Sequence, residues 1–393
     1  MKIGITCYPT YGGSGALATE LGIALARRGH EIHFITYKQP FRLPAFLPRI
    51  YFHEVDVGRY PLFEYPPYDL ALAVRMHEVV LAHGLDLLHC HYAIPHATSA
   101  WIAKEMLKPT RPDIRVVTTL HGTDITIVGQ DPSFAPITKF SIEKSDGLTA
   151  VSRFLQQETL TTFGCTACRI EVIPNFVDQN VYDRSRYTSI IKEQIDSGTR
   201  VLMHVSNFRP VKRVRDVVQI FARVVRHVPA VLVMVGDGPD RVYAEAEARD
   251  AGLQDKVFFL GKIDAVAPLL AGADLFLLPS SSESFGLSAL EALACGVPVI
   301  GSRTGGIPEV VRDGETGVLC PVGDVESMSA AAVSLLTDRG RWHAMSTLAA
   351  ADARERFSLD AIVGEYEAFY EYALSRAAAG QSGAPVNPDL EPS

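Results

Sequence analysis

DLFLLPSSSESFGLSALEALACGVPVIGS, residues 274–302, is the stretch on which the fold turns. It opens with continuous apolarity (DLFLLPS, 274–280) and passes through a polar turn. A helical pattern follows, in which Leu290, Leu293 and Ala294 share one side before Gly296 stops it, and a second apolar run, PVIGS (298–302), comes next. Strands apolar at consecutive rather than alternate positions are buried on both faces, as in parallel sheets covered by helices. The segment therefore reads as strand, turn, helix, strand: one step of a doubly wound α/β sheet. Its turn and helix carry two carboxylates, Glu283 and Glu291, at the carboxyl end of the strand, where such sheets bind ligands.

The same rhythm runs outward in both directions. Toward the N-terminus strands are expected at 2–8, 31–36, 85–91, 115–121, 147–152 and 170–174, and in the second half at 200–206, 230–236, 256–261, 274–280, 298–302 and 317–321. Between them the period becomes helical, as at Leu17, Leu21 and Leu25 and at Val217, Phe221 and Val224. At 393 residues the chain exceeds what one core supports. Two six-strand series with a hinge near 175–200 imply two doubly wound Rossmann-like domains, 1–175 and 176–358, facing across a cleft. The helical stretch 359–378 either closes the second domain or crosses back to the first, and the Gly/Pro/Ser-rich residues 379–393 are expected to be disordered.

A net charge of −8 argues against a broad basic face for nucleic acid or acidic membrane, although a local cationic pocket remains compatible with it. The longest apolar runs are strand-sized, and no charged-then-apolar leader stands before Lys2, so the reading is cytosolic. Oligomeric state is left open. Cys7, Cys90, Cys295 and Cys320 sit singly in apolar segments as small core residues. Cys165 and Cys168 form a lone C-x-x-C, read as a surface loop ahead of a strand rather than a metal or redox site.

The chemistry-bearing motifs fall at strand ends. Gly12, Gly13 and Gly15 lie between the first strand and its helix, a turn that lets backbone approach an oxyanion at a helix N-terminus. The spacing is not G-x-G-x-x-G, and Thr36, Tyr37 and Lys38 stand where a ribose-binding acid would follow the second strand, which disfavours a dinucleotide. His89, His91 and His96 in HCHYAIPHA lack Cys or Glu at ligand spacing, so a metal is not expected there. His121 in LHGTD is better placed to hydrogen-bond a polar ligand. In SNFRPVKRV (206–214), Arg209, Lys212 and Arg213 concentrate cations at one strand end, suited to a diphosphate. At Gly286, where a helix begins, the amides of Phe285, Gly286 and Leu287 can face an anion. Eight helical steps from Glu283 to Glu291 would span ~12 Å, and a turn shortens that. The separation suits a pyranose and a ribose joined through a diphosphate.

These blocks, with TGGIPEVVRDGETGVLCPVGD (304–324), resemble the retaining nucleotide-sugar glycosyltransferases of the GT-B fold, family 4, over both halves of the chain. CYPTYGGSGALATELGIALARRGHEIHFITY, HCHYAIPHA, TTLHGTDITIVGQDPSF, IPNFVD and HVSNFRPVKR are similar to a branch of that family acting in bacillithiol biosynthesis. The resemblance implies transfer of N-acetylglucosamine from UDP-N-acetylglucosamine to the hydroxyl of L-malate, the first step of that route. It implies that Glu283 binds hydroxyls of the transferred sugar, Glu291 the ribose, and Arg209 and Lys212 the diphosphate. Gly13 and the amides near Gly286 assist, Ile263 lies by the uracil, and His121 lies beside the reacting centre. The wider family carries Gly-Arg where this chain has Ser206-Asn207, so the first cation moves to Arg209.

No D-x-D occurs, so fixed positive charge is expected to replace a divalent cation, with no metal and no cofactor. Tyr92, Lys38, Thr123, Lys139 and Arg153 stand near strand ends suited to a small dicarboxylate acceptor. Rival readings are a family-4 transferase acting on inositol phosphate, a lipid or another sugar, a UDP-N-acetylglucosamine 2-epimerase, and a nucleotide-sugar-binding regulator. The chain shows no apolar-basic helix for a lipid surface, and the paired glutamates speak against a regulator.

Overall fold

A computed structural model describes the chain except residues 11, 59–63, 127, 166–167, 197 and 379–393, so the expected tail lies outside the described residues. The chain divides into two compact units: residues 1–175 with the helix Leu359–Ala378, and residues 176–358.

The first unit is built on β1 (Lys2–Thr6), β2 (Glu31–Thr36), β3 (Ile50–Glu54), β4 (Leu87–His91), β5 (Arg115–Leu120), β6 (Gly147–Ala150) and β7 (Ile170–Val172). They form one parallel sheet in the order β3-β2-β1-β4-β5-β6-β7. The second unit carries β8 (Arg200–Val205), β9 (Ala230–Val235), β10 (Val257–Gly261), β11 (Leu275–Leu278), β12 (Val299–Ser302) and β13 (Gly317–Cys320). Their order, again all parallel, is β10-β9-β8-β11-β12-β13. Each order reverses direction beside its first strand, which opens a crevice at the carboxyl edge of the sheet.

The sequence reading has six strands in the first half, whereas the structure has seven. The additional one, β3, is an edge strand whose residues are partly or wholly exposed, so IYFHE lacks the continuous apolarity of its neighbours. Strand ends also differ, because the outermost residues do other work. Asp86, Asp146 and Asp274 precede β4, β6 and β11 and accept the backbone N–H of Lys2, Val116 and Val201 at 2.7, 2.8 and 2.8 Å. Each of these aspartates returns its own N–H to the carbonyl of the same residue. This reciprocal pair fixes the register between adjacent strands at the amino edge of each sheet. Asp146 is further bridged by Lys104 at 2.6 Å, and Asp274 by Lys192 at 3.0 Å.

The helix Leu359–Ala378 belongs to the first unit. Glu367 accepts from Arg28 at 2.6 Å and contacts His30 at 2.8 Å, while Ile362, Val363, Tyr366 and Tyr370 are buried. The Tyr370 hydroxyl lies 2.8 Å from His89 Nδ1, and His89 Nε2 lies 2.7 Å from the Thr119 hydroxyl. Burial pushes His89 down to about 3, so its ring is a neutral member of this chain of hydrogen bonds. Tyr370→Phe leaves a buried ring nitrogen without its partner and is expected to cost about 1–3 kcal/mol, measured by denaturant unfolding.

Cys165 and Cys168 correct the surface-loop expectation: both are buried, and their sulfurs are joined as a disulfide. The other four cysteines are free and buried, as their apolar surroundings implied. Among the described residues no helix is long and apolar enough to cross a membrane.

Candidate active site

In the first unit, the candidate residues gather at the carboxyl ends of β1, β4 and β5. The helix Gly13–Arg27 starts without a side-chain cap, so its first amides have no intrahelical acceptor. Gly15 is required by close approach: a Cβ there would sit 2.3 Å from the Tyr8 carbonyl oxygen. Ser14 and Tyr92 join their hydroxyls at 2.7 Å, and the Tyr92 ring packs edge-on against Tyr8 with centroids 5.3 Å apart. Tyr92 holds a φ of 91°, a strained backbone for a non-glycine residue, which turns its ring over this edge.

His121 Nε2 lies 2.9 Å from His91 Nδ1, and its ring centroid is 5.1 Å from that of Tyr92. Desolvation pushes His121 down to about 3 and His96 to about 4, and His91 falls well below its ordinary value for the same reason. The cluster is therefore neutral. Asp124 is buried beneath it and accepts from the backbone of Ala93 at 3.0 Å and Gly122 at 2.9 Å, tying LHGTD to AIPHA. Thr123 opens the helical turn Thr123–Thr126 at this edge and is partly exposed. Thr6 Oγ1, His91 Nε2 and His96 Nε2 are buried here without a hydrogen-bond partner within the protein.

The remaining acceptor candidates are placed differently. Lys38 is exposed just beyond β2, and Arg153 is exposed at the first position of the helix Arg153–Phe163. Lys139 donates to the Phe163 carbonyl at 2.5 Å and pairs with Glu143 at 3.0 Å, so its charge is already engaged.

In the second unit, the candidates gather at the carboxyl ends of β8 and β11. His204 is buried and pushed down to about 4; Nδ1 lies 2.8 Å from the Leu277 carbonyl and Nε2 2.8 Å from the Ser206 hydroxyl. Ser206 also accepts from the Phe208 amide, which shapes the turn presenting Asn207 and Arg209 to solvent. Lys212 donates to Glu283 Oε1 at 2.6 Å, and Ser280 donates to the same oxygen at 2.9 Å. Arg209 forms no ion pair among the described residues. Arg213, the third cation of the motif, pairs with Asp216 at 2.6 Å as Lys212 does with Glu283, so two of the three cations are ion-paired.

Glu283 lies before the helix Leu287–Ala294, in an irregular turn held from behind. The Gly306 amide donates to the Glu283 carbonyl at 2.8 Å. Gly305, at φ +55°, approaches so closely that a Cβ would meet the same carbonyl at 2.1 Å. Gly286 starts the helix with no side-chain cap, leaving the Leu287 amide unpaired within the helix, while Phe285 is buried against Phe357. Glu291, one turn along, accepts from the Tyr182 hydroxyl at 2.5 Å. Ile263 follows β10 and is partly exposed. Sequence reasoning missed Ser280, Tyr182, His204 and the backing from Gly305 and Gly306. Ser280 sits in a serine run, His204, Gly305 and Gly306 lie inside motif blocks whose pattern does not announce these contacts, and Tyr182 acts from a distant segment.

Two family models match in tandem: Glycosyltransferase Family 4 over residues 11–181 and Glycosyl transferases group 1 over residues 185–352. The chain is 51% identical, over 94% of its length and 96% of the relative's, to the N-acetyl-alpha-D-glucosaminyl L-malate synthase of Bacillus anthracis. It belongs to the family 4 glycosyltransferases. A D-inositol 3-phosphate glycosyltransferase of Mycobacterium marinum is 26% identical, over 94% of this chain and 83% of that one. Two solved structures share the GT-B fold. Sucrose-phosphate synthase from Thermosynechococcus elongatus has a TM-score of 0.78 at 22% identity and covers 95% of this chain and 99% of its own. Anabaena HepE, in complex with UDP and glucose, has 0.74 at 20% and covers 93% and 98%. As a family 4 glycosyltransferase the chain is an enzyme, with a nucleotide-sugar donor and an acceptor to hold.

Proposed function

We propose that this glycosyltransferase moves N-acetylglucosamine from UDP-N-acetylglucosamine to the hydroxyl of L-malate, with retention and without a metal, as the first step of bacillithiol biosynthesis. The observation that carries the substrates is the 51% identity, along nearly the whole chain, to a relative named for that reaction. The second unit supplies the donor site. Glu283 accepts from hydroxyls of the sugar, Glu291 from the ribose, and Ile263 lies against the uracil. Arg209, Lys212 and the amides around Phe285, Gly286 and Leu287 take the diphosphate, and Asn207 borders it. In the first unit Gly13 and Gly15 offer backbone donors to an oxyanion, while Tyr92, Thr123, Lys38 and Arg153 serve a dicarboxylate. Lys139 could join them only by leaving Glu143.

The malate hydroxyl attacks the anomeric carbon on the face from which UDP departs. The bond to the β-phosphate oxygen breaks as the new glycosidic bond forms, and the hydroxyl proton passes to that phosphate oxygen. No protein nucleophile is needed. Fixed cations and oriented amides stabilise the charge that builds on UDP, where preorganised donors have most effect. His121, kept neutral by burial, hydrogen-bonds the sugar at the reacting centre.

The test is UDP release from UDP-N-acetylglucosamine with L-malate, with D-inositol 3-phosphate, and with no acceptor, each with and without EDTA. Malate-dependent, chelator-insensitive release is expected. Release without acceptor would point to an epimerase or hydrolase, and activity lost with EDTA and restored by magnesium would remove the fixed-charge mechanism.

A further inference from the structure

Beside the edge strand β3 of the first unit's sheet stands a second group of histidines that the transfer reaction does not use. His33 comes from β2, His53 from the edge strand β3, and His83 from the last turn of the helix Tyr68–His83. One ligand atom from each lies within 4.8 Å of the other two, the single such cluster of three or more His, Cys, Asp or Glu donors among the described residues. The ring centroids are separated by 5.1, 4.6 and 5.0 Å. Three imidazoles around one tetrahedral ion, each bound at about 2.0–2.1 Å, place their centroids about 5 Å apart.

We propose that His33, His53 and His83 form a binding site for a divalent transition metal ion of the zinc class, which fastens β3 to β2 and to the end of the helix Tyr68–His83. The hydrogen bonding around His33 is arranged for a ligand. Its Nε2 lies 3.0 Å from Glu31 Oε1, and a carboxylate only accepts, so Nε2 carries the proton and Nδ1 keeps its lone pair. That lone pair points at His53 Nε2, 2.8 Å away. A carboxylate behind the far nitrogen is the second-shell partner that orients metal-bound histidines. Lys2 fixes that carboxylate, lying 3.3 Å from Glu31, and also donates to the His83 carbonyl at 3.0 Å. On binding, the ion replaces the proton shared between His33 and His53, and the His53 proton moves to its Nδ1. The ring is thus freed to ligate without releasing a proton.

Burial of His33 supplies a fixed anchor, while His53 and His83 are partly exposed and can close the last ångström. Desolvation holds His33 below its ordinary value and His53 at about 4, so these two rings are neutral near pH 7. The nearby cation Arg75 is paired with Glu78 at 3.0 Å. The ligand set suits zinc, cobalt, nickel or copper over magnesium or calcium.

The test is titration of the full, tag-free chain with Co2+, followed by displacement with Zn2+. One equivalent with visible ligand-field bands, and without an intense thiolate charge-transfer band, is expected. His53→Ala/His83→Ala is expected to bind at least about 100-fold more weakly, and Glu31→Gln about 10–100-fold more weakly, with glycosyl transfer unchanged. Cobalt binding that survives the double variant, or gives no ligand-field bands, overturns the site. Should the double variant misfold, zinc X-ray absorption of the unaltered chain decides: three imidazole nitrogens support the site, and fewer overturn it.

Discussion

Lys212→Met is expected to lower kcat/KM for the donor by about 10²–10³-fold, the effect of removing one preorganised charge from the group leaving in the transition state. Lys212 and Glu283 have side chains only 19% and 11% exposed, so each depends on the other for neutralisation. With the lysine gone, the carboxylate is left without its counter-ion, and about 1–3 kcal/mol of stability should go with it. Glu283→Gln keeps the cation and the shape, so UDP binding should persist while turnover falls about 10–100-fold. The double variant should lose less than the product of the two single losses, because each single change also strands the other partner. Steady-state kinetics on the four proteins, with UDP affinity measured separately, tests this. If Lys212→Met retains turnover within about threefold, the diphosphate is neutralised elsewhere.

Gly305→Ala should be nearly as damaging, though it removes no functional group. The added Cβ would lie 2.1 Å from the Glu283 carbonyl oxygen, and φ of +55° is costly for alanine by about 1–2 kcal/mol. The clash is with backbone, so relief requires the turn bearing Glu283 to move. A misplacement of about 1 Å can cost about 10²-fold in rate, and that loss is expected in turnover together with a lowered melting temperature. Gly58→Ala is the control: a Cβ there meets nothing within 4 Å. Equal turnover in the two variants would show that the turn does not depend on its glycine backing.

The parallel sheets were legible because double-sided burial writes itself as consecutive apolar residues, and every strand buried in this way was found. β3 escaped because an edge strand with exposed residues has no such run. Glu283, Gly286 and Glu291 were visible as a spacing at the mouth of one strand, and Lys212 as part of a cationic run after another. Tyr182 was not, since a partner brought from a remote segment leaves no periodic trace, and Ser280, three residues from Glu283, was one of a run of serines that nothing in the pattern distinguishes. Arg213, adjacent to Lys212 in sequence, takes a different partner: a left-handed turn at φ 49° accompanies its pairing with Asp216, while Lys212 pairs with Glu283. The three histidines beside β3 illustrate the same blindness, being separated by twenty and thirty residues and united only by pairing and helix length.

The helix Leu359–Ala378 makes residues 176–358 an insertion, in topological terms, within a discontinuous host. A fragment ending near residue 175 would therefore expose the apolar bed of Ile362, Val363 and Tyr370 and leave His89 short of an acceptor or donor. During synthesis the host cannot complete its core until the inserted half has been made. A stop codon only a few dozen residues from the end would thus unseat the part of the protein translated first.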